Sequence, residues 1–471
     1  MNTHELCYTP AVELVRAIRE CQVSPVDLVD AVLARIDAVN PRINAYCTVA
    51  ADHAREAARE AERRVARREP LGLLHGIPVS IKDLTPTAGI RTSFGSRIFE
   101  HHVPAEDAAV VERLKAAGAI VVGKTNTPEF GCKGVTDNRV FGATRNPWNT
   151  AMVAGGSSGG AGAALAAGLA PLAEGSDLAG SIRIPAAACG VVGLKPSPGR
   201  VPSYPSPNGW NSMAVIGPMA RTVRDTALLL AAMSGPDERD PISLPAPGED
   251  FLAACDQPLG RLRVAWTPDL GYAPVDSRVA GVACAAARSF AGLGCALEEA
   301  CPDFSDPDEM FRALTAPMRA ASLGQYLAEW AEQMDPVLVE RMHLADGISS
   351  IDYERQQRRR TELWHTVRRF FERYDLLLTP TLAAPPFPID APYPPREIAG
   401  RATASPIGWF PFTFPFNLTG NPAISVPAGW ADGLPVGLQI VGRRYAEALV
   451  LRAAAAFEAA RPWAHRRPPL E

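Results

Sequence analysis

The chain has 471 residues, 47% of them apolar and 21% charged, with a formal net charge of −4. That balance supports a large core in a soluble globular protein and offers no basic surface on which to argue nucleic-acid binding. No run approaches the ~20 consecutive apolar residues of a membrane span, and the opening MNTHELCYTP has no basic segment followed by an apolar stretch.

The first two predicted helices open at Thr9-Pro10 and Ser24-Pro25, each pairing a capping residue with a proline at the first helical position. In the second, Val26, Val29, Leu33 and Ile36 form one apolar stripe. A charged helix over Asp52–Arg68 follows. The pattern then changes. Ile77–Ile81 reads as a buried strand, Ala108–Ala117 as a helix stopped at Gly118, and Ala119–Val122 as another buried strand. A Gly/Ala-rich helix is expected at about Ser158–Leu169. Further on, Leu262–Trp266 reads as a strand, Ser277–Leu293 as a helix and Leu376–Leu378 as a strand. Strands at Ala423–Val426 and Val436–Val441 and a helix from Ala446 close the chain. Strand alternating with helix argues for an α/β protein with a largely buried sheet.

Two stretches stand apart. Pro236–Pro258, rich in proline and acid, reads as a surface loop. The segment 306–373 is mostly helical and reads as a subdomain or lid. Within it, Arg358, Arg359, Arg360, Arg368, Arg369 and Arg373 are interleaved with Glu354, Glu362 and Glu372, as on a solvated helix face. Nine scattered cysteines, an odd count without a C-x-x-C, argue against a disulfide framework and against a zinc site. Reduced thiols fit a cytoplasmic protein. No metal-ligand spacing occurs among the eight histidines, and no cofactor is implied.

The chemistry is concentrated in 155–197. Gly155-Gly156-Ser157-Ser158-Gly159-Gly160 precedes Gly175-Ser176-Asp177-Leu178-Ala179-Gly180-Ser181 by a helix and a strand. Glycines let backbone approach another group closely. A serine framed by such turns can lie beside free backbone N–H groups, as an oxyanion requires. The first run alone also fits a flexible loop or a phosphate cradle. However, it lacks the Gly-Lys-Ser/Thr ending of a P-loop, and its spacing does not match a dinucleotide fingerprint. The signal comes from the two runs together.

These runs resemble those of the amidase signature family. So do His75-Gly76-Ile77-Pro78, Ser80-Ile81-Lys82-Asp83, Gly123–Phe130, Gly193-Leu194-Lys195-Pro196, Asn417–Ala423 and Gly433–Gln439. The resemblance implies α/β architecture: a large twisted mixed β-sheet core flanked by α-helices on both faces, with a helical peripheral insertion, in a single domain over 1–471. It also implies amide hydrolysis through a Ser–Ser–Lys triad. By position, Ser181 is the nucleophile, Ser157 the bridging serine after a cis peptide bond from Gly156, and Lys82 the base. Ser158 helps fix the turn, and Lys124 and Lys195 are structural.

A lysine base needs its pKa brought from ~10.4 down to near 8, and desolvation at the end of an apolar strand acts in that direction. The oxyanion hole is expected from the backbone N–H groups of Leu178, Ala179, Gly180 and Ser181. Ala179 replaces the glycine usual in the family and is expected to narrow the pocket floor. Asp177 and Arg183 are expected to hold the loop through charge-assisted hydrogen bonds. Candidate pocket residues are Phe130, Gly131, Trp210, Trp409 and Phe412. Trp409 and Phe412 belong to the aromatic-rich run 405–416, for which core packing is the competing use.

No arginine or lysine stands out in the sequence as a carboxylate anchor, so the expected substrate is a small neutral, partly apolar amide, or an aryl amide, carbamate or ester. The expected partner is that small molecule alone, without nucleic acid or membrane, for a monomer or homodimer. Two other readings are the glutamine-hydrolysing subunit of a tRNA-dependent amidotransferase and a non-catalytic amide-binding relative.

Overall fold

The computed structural model describes residues 3–403 and 405–470; Met1 and Asn2 of the opening segment lie outside the described residues. Eleven strands form one sheet. In chain order they are β1 (Tyr46–Val49), β2 (Pro78–Lys82), β3 (Ile120–Thr125), β4 (Leu172–Asp177), β5 (Val192–Lys195) and β6 (Val215–Ala220). There follow β7 (Arg263–Trp266), β8 (Ala296–Glu299), β9 (Leu376–Pro380), β10 (Ala423–Ala431) and β11 (Leu434–Gly442). Their spatial order is β1-β3-β2-β4-β6-β5-β10-β11-β9-β7-β8. The sheet is mixed. The β3-β2-β4 and β9-β7-β8 neighbours run parallel, and the pairs between them are antiparallel.

Helices surround this sheet. The buried strands read as continuous apolar runs because they are covered by helices and by other strands, leaving no polar alternation. Most expected strands sit within a few residues of their predicted positions. The Thr9-Pro10 start is a correction. Pro10 itself occupies the N-cap of Ala11–Arg19, and the Thr9 hydroxyl donates back to the Glu5 carbonyl at 2.9 Å. At Pro25–Ile43 the expected cap is present, with Ser24 accepting from Val26 and Asp27. The 236–258 stretch is not all loop: Asp250 caps a short helix, Phe251–Ala254, and Phe251 is buried. Strands β1, β5, β6 and β8 escaped the sequence reading. β8, with sequence ALEE, lies at the sheet edge, where solvated carboxylates are tolerated and the apolar signal is absent.

Two features position the site. First, β2 and β4 are parallel neighbours, with Ser80 opposite Ala173, so their C-terminal ends open at the same edge, where open α/β sheets place ligands. Second, helix α1 (Gly159–Ala166) lies hard against the end of β3. Gly160 is there because a Cβ would stand 2.3 Å from the Asn126 nitrogen and 2.5 Å from the Ala45 oxygen. Helix α2 (Arg183–Cys189) follows the second glycine–serine run and packs against β10 and β11. In the 306–373 segment, helices α3 (Asp308–Leu323), α4 (Pro336–His343) and α5 (Ser350–Arg373) pack together, α3 contacting both of the others.

Both backbone atoms facing Gly160 are fixed by the surrounding fold and cannot move aside. Gly160→Ala is expected to destabilise the protein by about 1–3 kcal/mol through overpacking. A lower thermal unfolding midpoint, with the substitution at exposed Gly248 as control, checks it.

Candidate active site

Lys82 ends β2 with its side chain wholly buried. Its Nζ donates to Ser157 Oγ at 2.8 Å and to Ser176 Oγ at 3.0 Å. Burial is the largest influence on this amine and pushes its pKa down to about 7, against the opposing pull of Glu174 and Asp177. Glu174 is itself raised by burial. One of its oxygens accepts from the Lys82 backbone N–H at 2.9 Å and the other from Thr85 Oγ1 at 3.0 Å. Two other buried lysines have different company. Lys124 donates to the Thr85 carbonyl and to the hydroxyls of Thr87 and Thr92, and Lys195 to the Pro196 carbonyl.

The peptide between Gly156 and Ser157 is cis. Ser158 ties the two glycine–serine runs together. Its N–H donates to the Ser181 carbonyl at 3.1 Å, and its hydroxyl lies 3.4 Å from both the Ser176 nitrogen and the Ser176 oxygen. Ser157 and Ser181 border the same cavity, of about 330 Å³, without being hydrogen-bonded to each other. Leu84, Phe130, Gly131, Ser176 and Leu178 complete its floor; the loop residues Ser206, Asn208 and Asn211 and, from α3, Met318, Arg319 and Ser322 form other walls. Gly131 comes close to the site: a Cβ there would lie 3.2 Å from Ser157 Oγ.

The loop carrying Ser181 is held by a buried ion pair. Asp177 receives Arg183 through both of its oxygens, at 2.9 and 3.0 Å. Arg183 also donates to Thr413 O, Gln439 Oε1 and Asn417 Oδ1, at 2.9, 2.7 and 2.6 Å. Asn417 Nδ2 returns a bond to Asp177 Oδ1 at 2.9 Å. Burial alone would raise the Asp177 pKa, but Arg183, Lys195 and Asn417 outweigh it and hold the carboxyl at about 2.

The geometry corrects several expectations. The Gly180 N–H is already engaged by Asp177 Oδ1 at 2.7 Å, so it is not free for an oxyanion. Among the described residues, the N–H groups of Leu178, Ala179 and Ser181 have no acceptor. Gly180 serves conformation instead: its φ is +122°, and a Cβ would meet Thr413 Oγ1 at 2.4 Å. Ala179 does not line the cavity. Its methyl packs against the apolar cluster around Phe410 and Phe414, and its carbonyl accepts from Thr413 Oγ1 at 2.5 Å. Trp409 and Phe412 are fully buried in that cluster, where apolar bulk is used for packing, and do not reach the cavity. Trp210 is 76% exposed and does not line the cavity, although its neighbours Asn208 and Asn211 do. Ser176, Glu174, Asn417 and Arg319 were not anticipated as site residues. Two of them carried a signal: Ser176 precedes Asp177 in the second run, and Asn417 opens the matching run Asn417–Ala423.

A protein-family model described as Amidase matches residues 27–451. The chain belongs to the amidase family. It is an amide hydrolase acting on carbon–nitrogen bonds other than peptide bonds. This amidase is 43% identical to an acylamidase of Rhodococcus erythropolis over 99% of this chain and 98% of the relative. It is 37% identical to a glutamyl-tRNA(Gln) amidotransferase subunit of Carboxydothermus hydrogenoformans, over 99% of this chain and 100% of that one. Its structure superposes on the crystal structure of a bacterial aryl acylamidase of the amidase signature enzymes with a TM-score of 0.92, at 35% identity and 97% coverage of both chains. Among the described residues, no cluster of His, Cys, Asp or Glu is placed to hold a metal, and no helix is long and apolar enough to cross a membrane.

The depressed Asp177 pKa has a thermodynamic consequence. Its folded value lies below the ~3.9 of an unfolded aspartate, so the stabilisation is present above that unfolded value and is lost as pH falls toward 2. Asp177→Asn leaves Arg183 buried without its counterion and is expected to cost about 3–5 kcal/mol at pH 7. Denaturant titrations from pH 7 to pH 3 should show the gap between variant and wild type narrowing only at the acid end.

Proposed function

We propose that this amidase cleaves small, partly apolar acyl amides through an acyl-enzyme on Ser181. Lys82 is the base and Ser157 the relay between them. The observation that carries this reading is the fully buried Lys82 amine, 2.8 Å from the Ser157 hydroxyl at the wall of the cavity that also receives Ser181.

In the proposed reaction, Ser181 Oγ attacks the amide carbon as its proton passes to Ser157 and the Ser157 proton to Lys82. The oxyanion is received by the free N–H groups of Leu178 and Ser181, both residues that border the cavity. The C–N bond then breaks, and the proton held by Lys82 returns through Ser157 to the departing amine. Water, activated by the same relay, cleaves the ester and releases the acid and free Ser181. A lysine can serve only if it is neutral at working pH, and removal from water provides this.

The whole-length likeness to an acylamidase and to an aryl acylamidase supports acyl or aryl amides as the substrate class. The likeness to an amidotransferase component keeps glutamine hydrolysis within a complex as the second reading. The purified chain distinguishes them by turning over anilides without partners or only releasing ammonia from glutamine. A single domain over 1–471, with 306–373 as a helical subdomain or lid within it, completes the proposal, as do cytoplasmic residence and a monomeric or homodimeric state. Nine free cysteines support the compartment.

Two measurements test the mechanism. Ser181→Ala is expected to lower kcat at least about a thousandfold and to abolish fluorophosphonate labelling; an adduct on a different serine overturns the assignment. The rate should rise with pH through an apparent pKa near 7, because only the deprotonated amine of Lys82 accepts a proton. Lys82→Arg keeps the charge but cannot give up its proton, so it should be nearly as inactive as Lys82→Ala. An arginine variant of near-normal activity would refute the base.

A further inference from the structure

Arg319 lies on α3 and borders the cavity that holds Ser157 and Ser181. It is half-buried, and among the described residues it has no ion pair and no hydrogen bond. Burial works against its charge, and so does Arg341, reaching toward it from α4; no carboxylate is close enough to oppose them. Acids on the same helix and on the segments around it are occupied elsewhere. Asp335 holds Lys133 at 2.6 Å, Asp308 holds Arg312 at 3.0 Å, and Glu129 takes Ser96 at 2.6 Å. Arg341 provides no relief. It donates to the Cys132 carbonyl and keeps a second buried nitrogen without a partner.

A guanidinium does not discharge at working pH. Screening it from its remaining water without a counterion, as an occupied cavity would, is costly. The cavity, of about 330 Å³, is large enough for a small ligand. An oxyanion on that ligand would supply the missing partner, and the planar fork suits a carboxylate through two parallel bonds.

We propose that Arg319 is a specificity-determining residue that receives a carboxylate of the substrate, so that the preferred amides carry a negative charge away from the bond being cleaved. This rests on the cavity being the active site, as proposed above, and replaces the neutral substrate expected from the sequence. The charge belongs on the acyl or the amine portion, and matched substrates locate it.

The experiment compares kcat/KM for butyranilide with that for succinanilic acid, and for acetanilide with that for 4-carboxyacetanilide. The wild type is expected to prefer one carboxylated member over its neutral match by at least tenfold, mainly through KM. In Arg319→Gln that ratio should fall at least tenfold. A wild-type ratio at or below one for both pairs overturns the proposal without needing any variant, and so does a ratio that Arg319→Gln leaves unchanged. The active-site assignment fails separately: Ser181→Ala would then still turn over both members of a pair, whatever their ratio.

Discussion

A lysine ammonium removed from water shapes everything arranged around this site. Lys82 is held at the end of a strand buried from one end to the other, and desolvation disfavours its charge. Full pairing with an adjacent carboxylate would restore the charge and remove the proposed base. Here the carboxylates stand near but are engaged elsewhere: Glu174 with a backbone N–H and a threonine, Asp177 with Arg183. The amine therefore bonds hydroxyls, those of Ser157 and Ser176, and these are the partners a proton relay needs.

The second requirement is rigidity of the loop that presents Ser181. A loop of small residues cannot hold itself by packing, so polar bonds must do so. Asp177, Arg183, Asn417 and Gln439 form one buried set, every member of which is bonded to another. Buried charge of this kind is tolerated only when satisfied. The set also explains why strands from the far end of the chain pack next to a site built from its first half. Residues 413–439 supply the acceptors for Arg183, and Thr413 secures the carbonyl of Ala179.

The walls of the cavity follow a different rule from its floor. The floor comes from strand ends and the glycine–serine runs. One wall comes from α3, in the helical segment 306–373, and another from the loop 206–211. A floor fixed by buried bonds and walls supplied by peripheral elements would let one chemistry serve many substrates, since a change on α3 alters the pocket without touching the proposed relay.

Read on its own, the sequence is enough for the α/β class and the positions of most strands, and it points to Lys82, Ser157 and Ser181. Those are local properties: apolar runs long enough to be buried strands, and glycine–serine spacing that few chemistries require. The aromatic run at 409–416 has no such local reading, because an apolar ring suits a core as well as a pocket. Packing puts Trp409 and Phe412 in the core and leaves Trp210 in solvent. Short strands such as Val192–Lys195 have too few residues to show a period, and pairing with β6 and β10 defines them. The Gly180 N–H has the right place in the sequence for an oxyanion donor, but the Asp177 side chain folds back and takes it. Arg319 looks like one more charge on an amphipathic helix. Whether a charged side chain has a partner depends on every neighbour brought to it from elsewhere in the chain, and those neighbours exist only once the chain has folded.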